Sequence, residues 1–69
     1  MSERLIATLP KSRREEIRVS IAETHGRKLV RVRAFHEHEG EWRPGKQGLD
    51  VRLDALPGLL AALGKAMAP

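Results

Sequence analysis

Gly40-Glu41-Trp42-Arg43-Pro44-Gly45-Lys46-Gln47-Gly48 decides how this chain folds. Nine residues hold three glycines, a proline, the single tryptophan and two cations. A helix does not tolerate that mixture, since interior glycine and proline cost about 1 and about 3 kcal/mol against alanine. A strand buried on both faces has nowhere to put Arg43 and Lys46 and gains no ladder donor from Pro44. The stretch therefore reads as a turn that runs into a bent, irregular strand.

Working outward, the flanking segments read as strands. Downstream, Leu49-Asp50-Val51-Arg52-Leu53 alternates, with Leu49, Val51 and Leu53 on one face. Upstream, Lys28-Leu29-Val30-Arg31-Val32-Arg33-Ala34-Phe35-His36 alternates too. Val30, Val32 and Ala34 take one face of it, and Leu29, Arg31, Arg33 and Phe35 the other. Before it, Ile17-Arg18-Val19-Ser20-Ile21-Ala22 puts β-branched residues on the core side and Arg18 and Ser20 away from it. His25-Gly26 and His38-Glu39-Gly40-Glu41 supply the turns. Arg4 to Leu9, closed by Pro10, is a weaker strand or an arm, followed by a basic connector at Lys11–Glu16. Connections this short favour an antiparallel meander. The expected organisation is an arm or short edge strand with its connector over residues 1–15, then a single domain over 16–69.

Asp54 reads as the N-cap of a C-terminal helix, with Pro57 in the first turn. Leu56, Leu59, Leu60 and Leu63 recur at helical spacing, while Ala55, Ala62 and Ala66 occupy the other side. A helix apolar nearly all round is covered on more than one side. In a domain this thin, only another subunit is available to cover the second side.

The bulk numbers agree. A chain of 69 residues buries only about 60% of its unfolded surface. With no cysteine, neither disulfides nor Cys-based zinc sites can staple it, which leaves a partner chain. No apolar run approaches the ~20 residues that span a bilayer, and no signal-peptide pattern opens the chain, so the expectation is a soluble, cytoplasmic protein with no membrane partner. Lys and Arg number 13 against 9 Asp and Glu, and residues 11–52 carry all the cations except Arg4 and Lys65. That balance favours nucleic acid or an anionic surface over acidic substrates.

Enzymatic chemistry finds no support. Ser2, Ser12 and Ser20 lack a neighbouring base, and there is no thiol nucleophile. Glu39 and Glu41 flank a turn glycine, where carboxylates are usually solvated. His36 and His38 share a strand face, with His25 and Glu39 elsewhere, but no fixed ligand spacing appears, so no metal or other cofactor is expected. Gly40, Gly45 and Gly48 do not form a phosphate-binding P-loop. Flat rings beside fixed positive charge do suit nucleic acid with unpaired bases, on which each stacked base is worth roughly 1–3 kcal/mol. Trp42 and Phe35 are the rings, His36 is a third plane, and Arg31, Arg33, Arg43 and Lys46 supply phosphate contacts. Trp42 fits equally well as an anchor of the core or of a subunit interface. A nearly uncharged helix argues against major-groove reading.

From about Glu16 to Leu63 the chain resembles the C-terminal domain of the positive cofactor four family of transcriptional coactivators, in its short prokaryotic form. Ile17-Arg18-Val19-Ser20-Ile21, Gly26, Leu29-Val30-Arg31-Val32-Arg33 and above all Gly40–Leu49, followed by a leucine-rich helix, carry the resemblance. Ile6-Ala7-Thr8-Leu9-Pro10-Lys11 looks like the lead-in of the short members. The resemblance implies an α+β fold: a curved antiparallel four-stranded β-sheet followed by one C-terminal α-helix, in a two-fold symmetric dimer. It also implies binding of single-stranded or melted DNA with little sequence preference, in transcription regulation or genome maintenance, and with it a nucleoid-associated location. Contacts carried over by position are Arg33, Arg43 and Lys46, with Lys11 and the turn cations Arg27 and Lys28 as further candidates; His36 stands where a stacking aromatic is found. Gln47 stands where a second lysine is usual and Thr24 where an aromatic is common, which implies a weaker grip. RNA, or an acidic partner in the transcription machinery, is the alternative ligand.

Overall fold

The computed structural model describes residues 2–68. Four strands, β1 (Ser2–Ser12), β2 (Glu15–Thr24), β3 (Arg27–His38) and β4 (Glu41–Arg52), form one sheet in the order β1-β2-β3-β4. Every neighbouring pair is antiparallel, as expected for a meander. A 3-10 turn at Leu53–Ala55 leads into α1 (Leu56–Met67).

Two hairpins are fixed by turn chemistry. His25 and Gly26 have φ of 52° and 74°, and Glu39 and Gly40 have 54° and 81°. Two successive positive φ values make the twist of a two-residue turn match that of its flanking strands, and the glycine at the second position reaches that conformation without steric cost. Counting back from the first turn pairs Thr24 with Arg27, Ser20 with Arg31 and Arg18 with Arg33.

Of the two readings of the N-terminus, strand and arm, the structure takes the strand. β1 runs for 11 residues and pairs along β2, with register shifts between Leu5 and Ala7 and between Pro10 and Ser12. Pro10 is accommodated because β1 is an edge strand, where a missing N–H need face no partner. Lys11 and Ser12 belong to β1, so the expected connector shrinks to the turn at Arg13 and Arg14. The Glu37 N–H donates to the Arg14 carbonyl at 2.9 Å, which docks that turn on the end of β3.

The helix start differs from expectation. Asp54 does not cap α1: its carboxylate accepts from Arg52 Nη2 at 3.3 Å, and Ala55 is the cap residue, with no side-chain bond. The 3-10 turn takes over the capping function, since the Leu56 N–H donates to the Leu53 carbonyl. Pro57, at the first turn of α1, brings no N–H that would need a partner.

Residues paired across antiparallel strands share a face. One face carries Ile17, Val19, Ile21, Val30, Val32, Ala34, Leu49 and Val51. The other carries Arg18, Ser20, Ala22, Leu29, Arg31, Arg33, Phe35, Trp42 and Pro44. The only buried residues among those described are Ser20, Ala22 and Val30. Leu49, Leu60 and Leu63 are each more than half exposed, and Leu56 and Leu59 alone on α1 are half-buried. The expected double covering of the helix is therefore not met within one protomer. The chain measures 38 × 38 × 18 Å, a plate too thin to enclose a core between two layers.

Candidate nucleic-acid interface

The polar face of the sheet holds a groove of about 500 Å³ lined by Glu3, Leu5, Arg18, Ser20, Arg31, Arg33, Phe35 and Pro44. Its geometry follows from the irregular strand. β3 and β4 pair in one register from His38–Glu41 to Phe35–Pro44, and in another from Arg33–Gly48 onward. Ala34 alone separates the two registers on β3, whereas Gly45, Lys46 and Gln47 do so on β4. The extra residues bulge, and a bulge bends its strand and turns side chains to new directions.

That bulge grips Arg33. The guanidinium Nη1 donates to the Gly45 carbonyl at 3.2 Å. Gly48 lies directly beneath: a Cβ there would stand 3.2 Å from Arg33 Cζ and 3.1 Å from the Val32 carbonyl oxygen. Glycine at 48 thus leaves the room that the guanidinium occupies. No carboxylate pairs with Arg33 among the described residues.

Arg31, two residues along the same face, is placed differently. Its Nε and Nη2 donate to the two Asp50 oxygens at 3.1 and 3.3 Å, and Nη1 donates to Glu3 at 3.2 Å. Ser20 Oγ, in a buried residue, donates to the other Glu3 oxygen at 2.8 Å. The hydrogen bond and charge of Asp50, with Glu3 adding, raise the Arg31 guanidinium above its ordinary pKa. Its positive charge is directed at two acids of the sheet itself.

Sequence reasoning did not select Arg18. Its Cζ lies 4.1 Å from the centroid of the Phe35 ring, and its Nε donates to Glu16 at 2.6 Å. Arg18 stands directly opposite Arg33. The signal was present: the two-residue turn at His25-Gly26 fixes the register, and alternation puts both arginines on one face.

The remaining expected residues divide by place. Trp42 lies on the groove face beyond Pro44, 38% exposed, paired with Glu37. His36 and Arg43 pair with each other on the opposite face, because neighbours of Phe35 and Trp42 along a strand must point the other way. Phe35 and His36 therefore cannot stack bases on the same surface. Arg43 also pairs with Glu41 at 3.2 Å. Lys11, His36, Lys46 and Gln47 gather around a second recess of about 330 Å³, where Lys11 reaches Gln47 at 3.3 Å and Glu15 at 3.8 Å. Arg27 and Lys28 are at the far end of the sheet, beside Arg52, Leu53 and Asp54. His25 and His38 sit at opposite ends of β3, and no group of three or more metal-ligating side chains occurs among the described residues. No helix among them is long and apolar enough to cross a membrane.

The model of the family Transcriptional Coactivator p15 (PC4), the family that the Gly40–Leu49 motif resembles, matches residues 11–62. No curated protein matches the chain. Among solved structures, a PC4 homolog from Burkholderia pseudomallei in an orthorhombic crystal form has a TM-score of 0.88 at 31% identity, covering 97% of this chain and 92% of that one. The tetragonal form of that homolog has a TM-score of 0.85 at 31% identity, with 96% and 98% covered. A bacteriophage T5 homolog of the eukaryotic transcription coactivator PC4, implicated in recombination-dependent DNA replication, has a TM-score of 0.73 at 21% identity, with 99% and 80% covered; at that identity the likeness concerns the fold. A family model spanning most of the sheet and helix, with a homolog superposing along nearly the whole length, establishes that this chain belongs to the PC4 family of transcriptional coactivators.

Proposed function

We propose that this protein is a non-enzymatic, homodimeric binder of single-stranded or melted DNA, with little sequence preference, acting in transcription or genome maintenance. One observation carries the reading. Arg33, held by the bulge and without a carboxylate partner among the described residues, faces Arg18 across the strands on a surface that also bears Phe35 and Trp42. Glu16 pairs with Arg18, so Arg33 is the uncompensated cation of the two, and a phosphate supplies the counter-charge it lacks. A phosphate with an unpaired base beside it meets both that cation and a flat stacking surface.

Cations outside the groove offer further phosphate contacts: Arg27 and Lys28 at one end of the sheet, and Lys11 and Lys46 at the recess that His36 lines, with Arg43 beside His36 on the face opposite the groove. The family's nucleic-acid-binding and coactivator roles support the reading.

The dimer is argued from shape. The radius of gyration is 13.5 Å, against about 11 Å for a compact chain of this length. Leu60, Leu63 and Met67 on α1 and Leu49 on the sheet are open to solvent, and fully covering a leucine gains about 1.5–3 kcal/mol. A second copy placed by a two-fold axis covers both helices at once.

The test is competition between single-stranded DNA, duplex DNA and RNA for the protein at one ionic strength, followed by anisotropy of labelled oligonucleotide across salt. With about four phosphates contacted per site, the log–log slope for a single strand is near −3, so affinity falls about fifty-fold from 50 to 200 mM salt. Equal affinity for duplex and single strand, or a flat salt response, would overturn the reading; stronger binding of RNA would reassign the ligand.

A further inference from the structure

Resting on the single-strand reading above, we propose that the plane on which a base stacks in the groove is the Arg18 guanidinium, not the Phe35 ring, and that Arg33 takes the adjoining phosphate. With Arg18 Cζ 4.1 Å from the Phe35 centroid, the guanidinium already occupies one side of the ring. Pro44 flanks Phe35 on β4, and the ring is half-buried. Arg18 and Phe35 both line the groove, and on the side of the ring that the guanidinium covers a base meets Arg18 first.

Arg18 is built as a platform. A guanidinium is planar, delocalised and weakly hydrated, so it can stack on both of its sides. One side lies on Phe35, and the edge is pinned by Glu16 at 2.6 Å, which fixes the plane before a ligand arrives. Preorganisation of this kind lowers the ordering cost of binding. The carboxylate of Glu16 also balances the charge of Arg18 and leaves Arg33 as the phosphate-seeking member of the facing pair. The division of labour is specific: Arg18 contributes a surface, Arg33 contributes charge. Stacking on a cation is tolerant of base identity, since every base has a π-face.

Arg18→Lys separates the two roles, because it keeps the charge and removes the plane. Binding of labelled oligo-dT and of an abasic oligonucleotide with the same number of phosphates is measured for the wild-type chain, Arg18→Lys and Phe35→Leu. The expected result is about a tenfold loss for oligo-dT in Arg18→Lys, with an unchanged salt slope and unchanged abasic binding. Phe35→Leu, which removes the support beneath the guanidinium, reproduces the loss. Unchanged oligo-dT affinity in Arg18→Lys, or an equal loss for the abasic strand, would overturn the assignment while leaving single-strand binding standing. A wild-type chain that binds neither strand would overturn the underlying reading, and this inference with it.

Discussion

Arg31 and Arg33 show how little residue type alone determines in this groove. Both lie on β3, on one face and two positions apart, and both were selected from the sequence for phosphate. The bulge frees the charge of Arg33, whereas Asp50 and Glu3 enclose Arg31. Alternation showed which face each side chain takes; the carboxylates of Arg31 come from strands whose registers had first to be known. A double substitution, Glu3→Gln with Asp50→Asn, releases that cation and removes two negative charges from the groove. Single-strand binding is then expected to tighten severalfold and the salt slope to steepen by about 0.7, the value of one further phosphate contact. An unchanged slope in anisotropy titrations would mean that Arg31 remains a structural group. Arg18 was legible in principle, from the hairpin register, but went unselected because its own strand carries no ring to mark it.

At the scale of elements, the strands, their order and the two glycine turns were readable, since period-two alternation and His-Gly and Glu-Gly turns specify them directly. The bulge was readable only as irregularity. Its register shift depends on what β3 offers opposite Gly45–Gln47, and no local pattern in β4 encodes that. Asp54 misled for a related reason: a good cap residue beside Arg52 found an ion pair, and a 3-10 turn served the helix instead. The bulge is the element on which the site turns. Gly48→Ala puts a methyl 3.1 Å from a backbone oxygen that cannot swing aside and 3.2 Å from the Arg33 guanidinium. It is expected to cost about 1–3 kcal/mol in urea unfolding and to weaken single-strand binding as Arg33 is displaced. Wild-type stability together with wild-type affinity would show that the bulge is not what holds Arg33.

The molecule as a whole is a sheet with one chemically distinct side and a helix with no cover. Sequence composition foresaw the shortage of core, from 69 residues without cysteine, and the structure gives it form as a plate 18 Å thick. What the sequence could not supply is the partner's placement, because an exposed leucine on α1 does not say which surface it meets. Leu60→Glu and Leu63→Glu place charges on that helix without touching the groove. Light scattering is expected to give twice the 7.7 kDa chain mass for the wild type and a lower mass, with reduced thermal stability, for the variants. A wild-type mass of 7.7 kDa would refute the dimer. The central claim concerns the two faces of the sheet, and amide chemical-shift mapping of the wild-type protein titrated with oligo-dT tests it most directly. The account predicts perturbations concentrated at Arg18, Arg33, Phe35, Trp42 and Gly45. Perturbations confined to α1 and to the Val30–Val32–Leu49 face, with the groove residues unmoved, would contradict it.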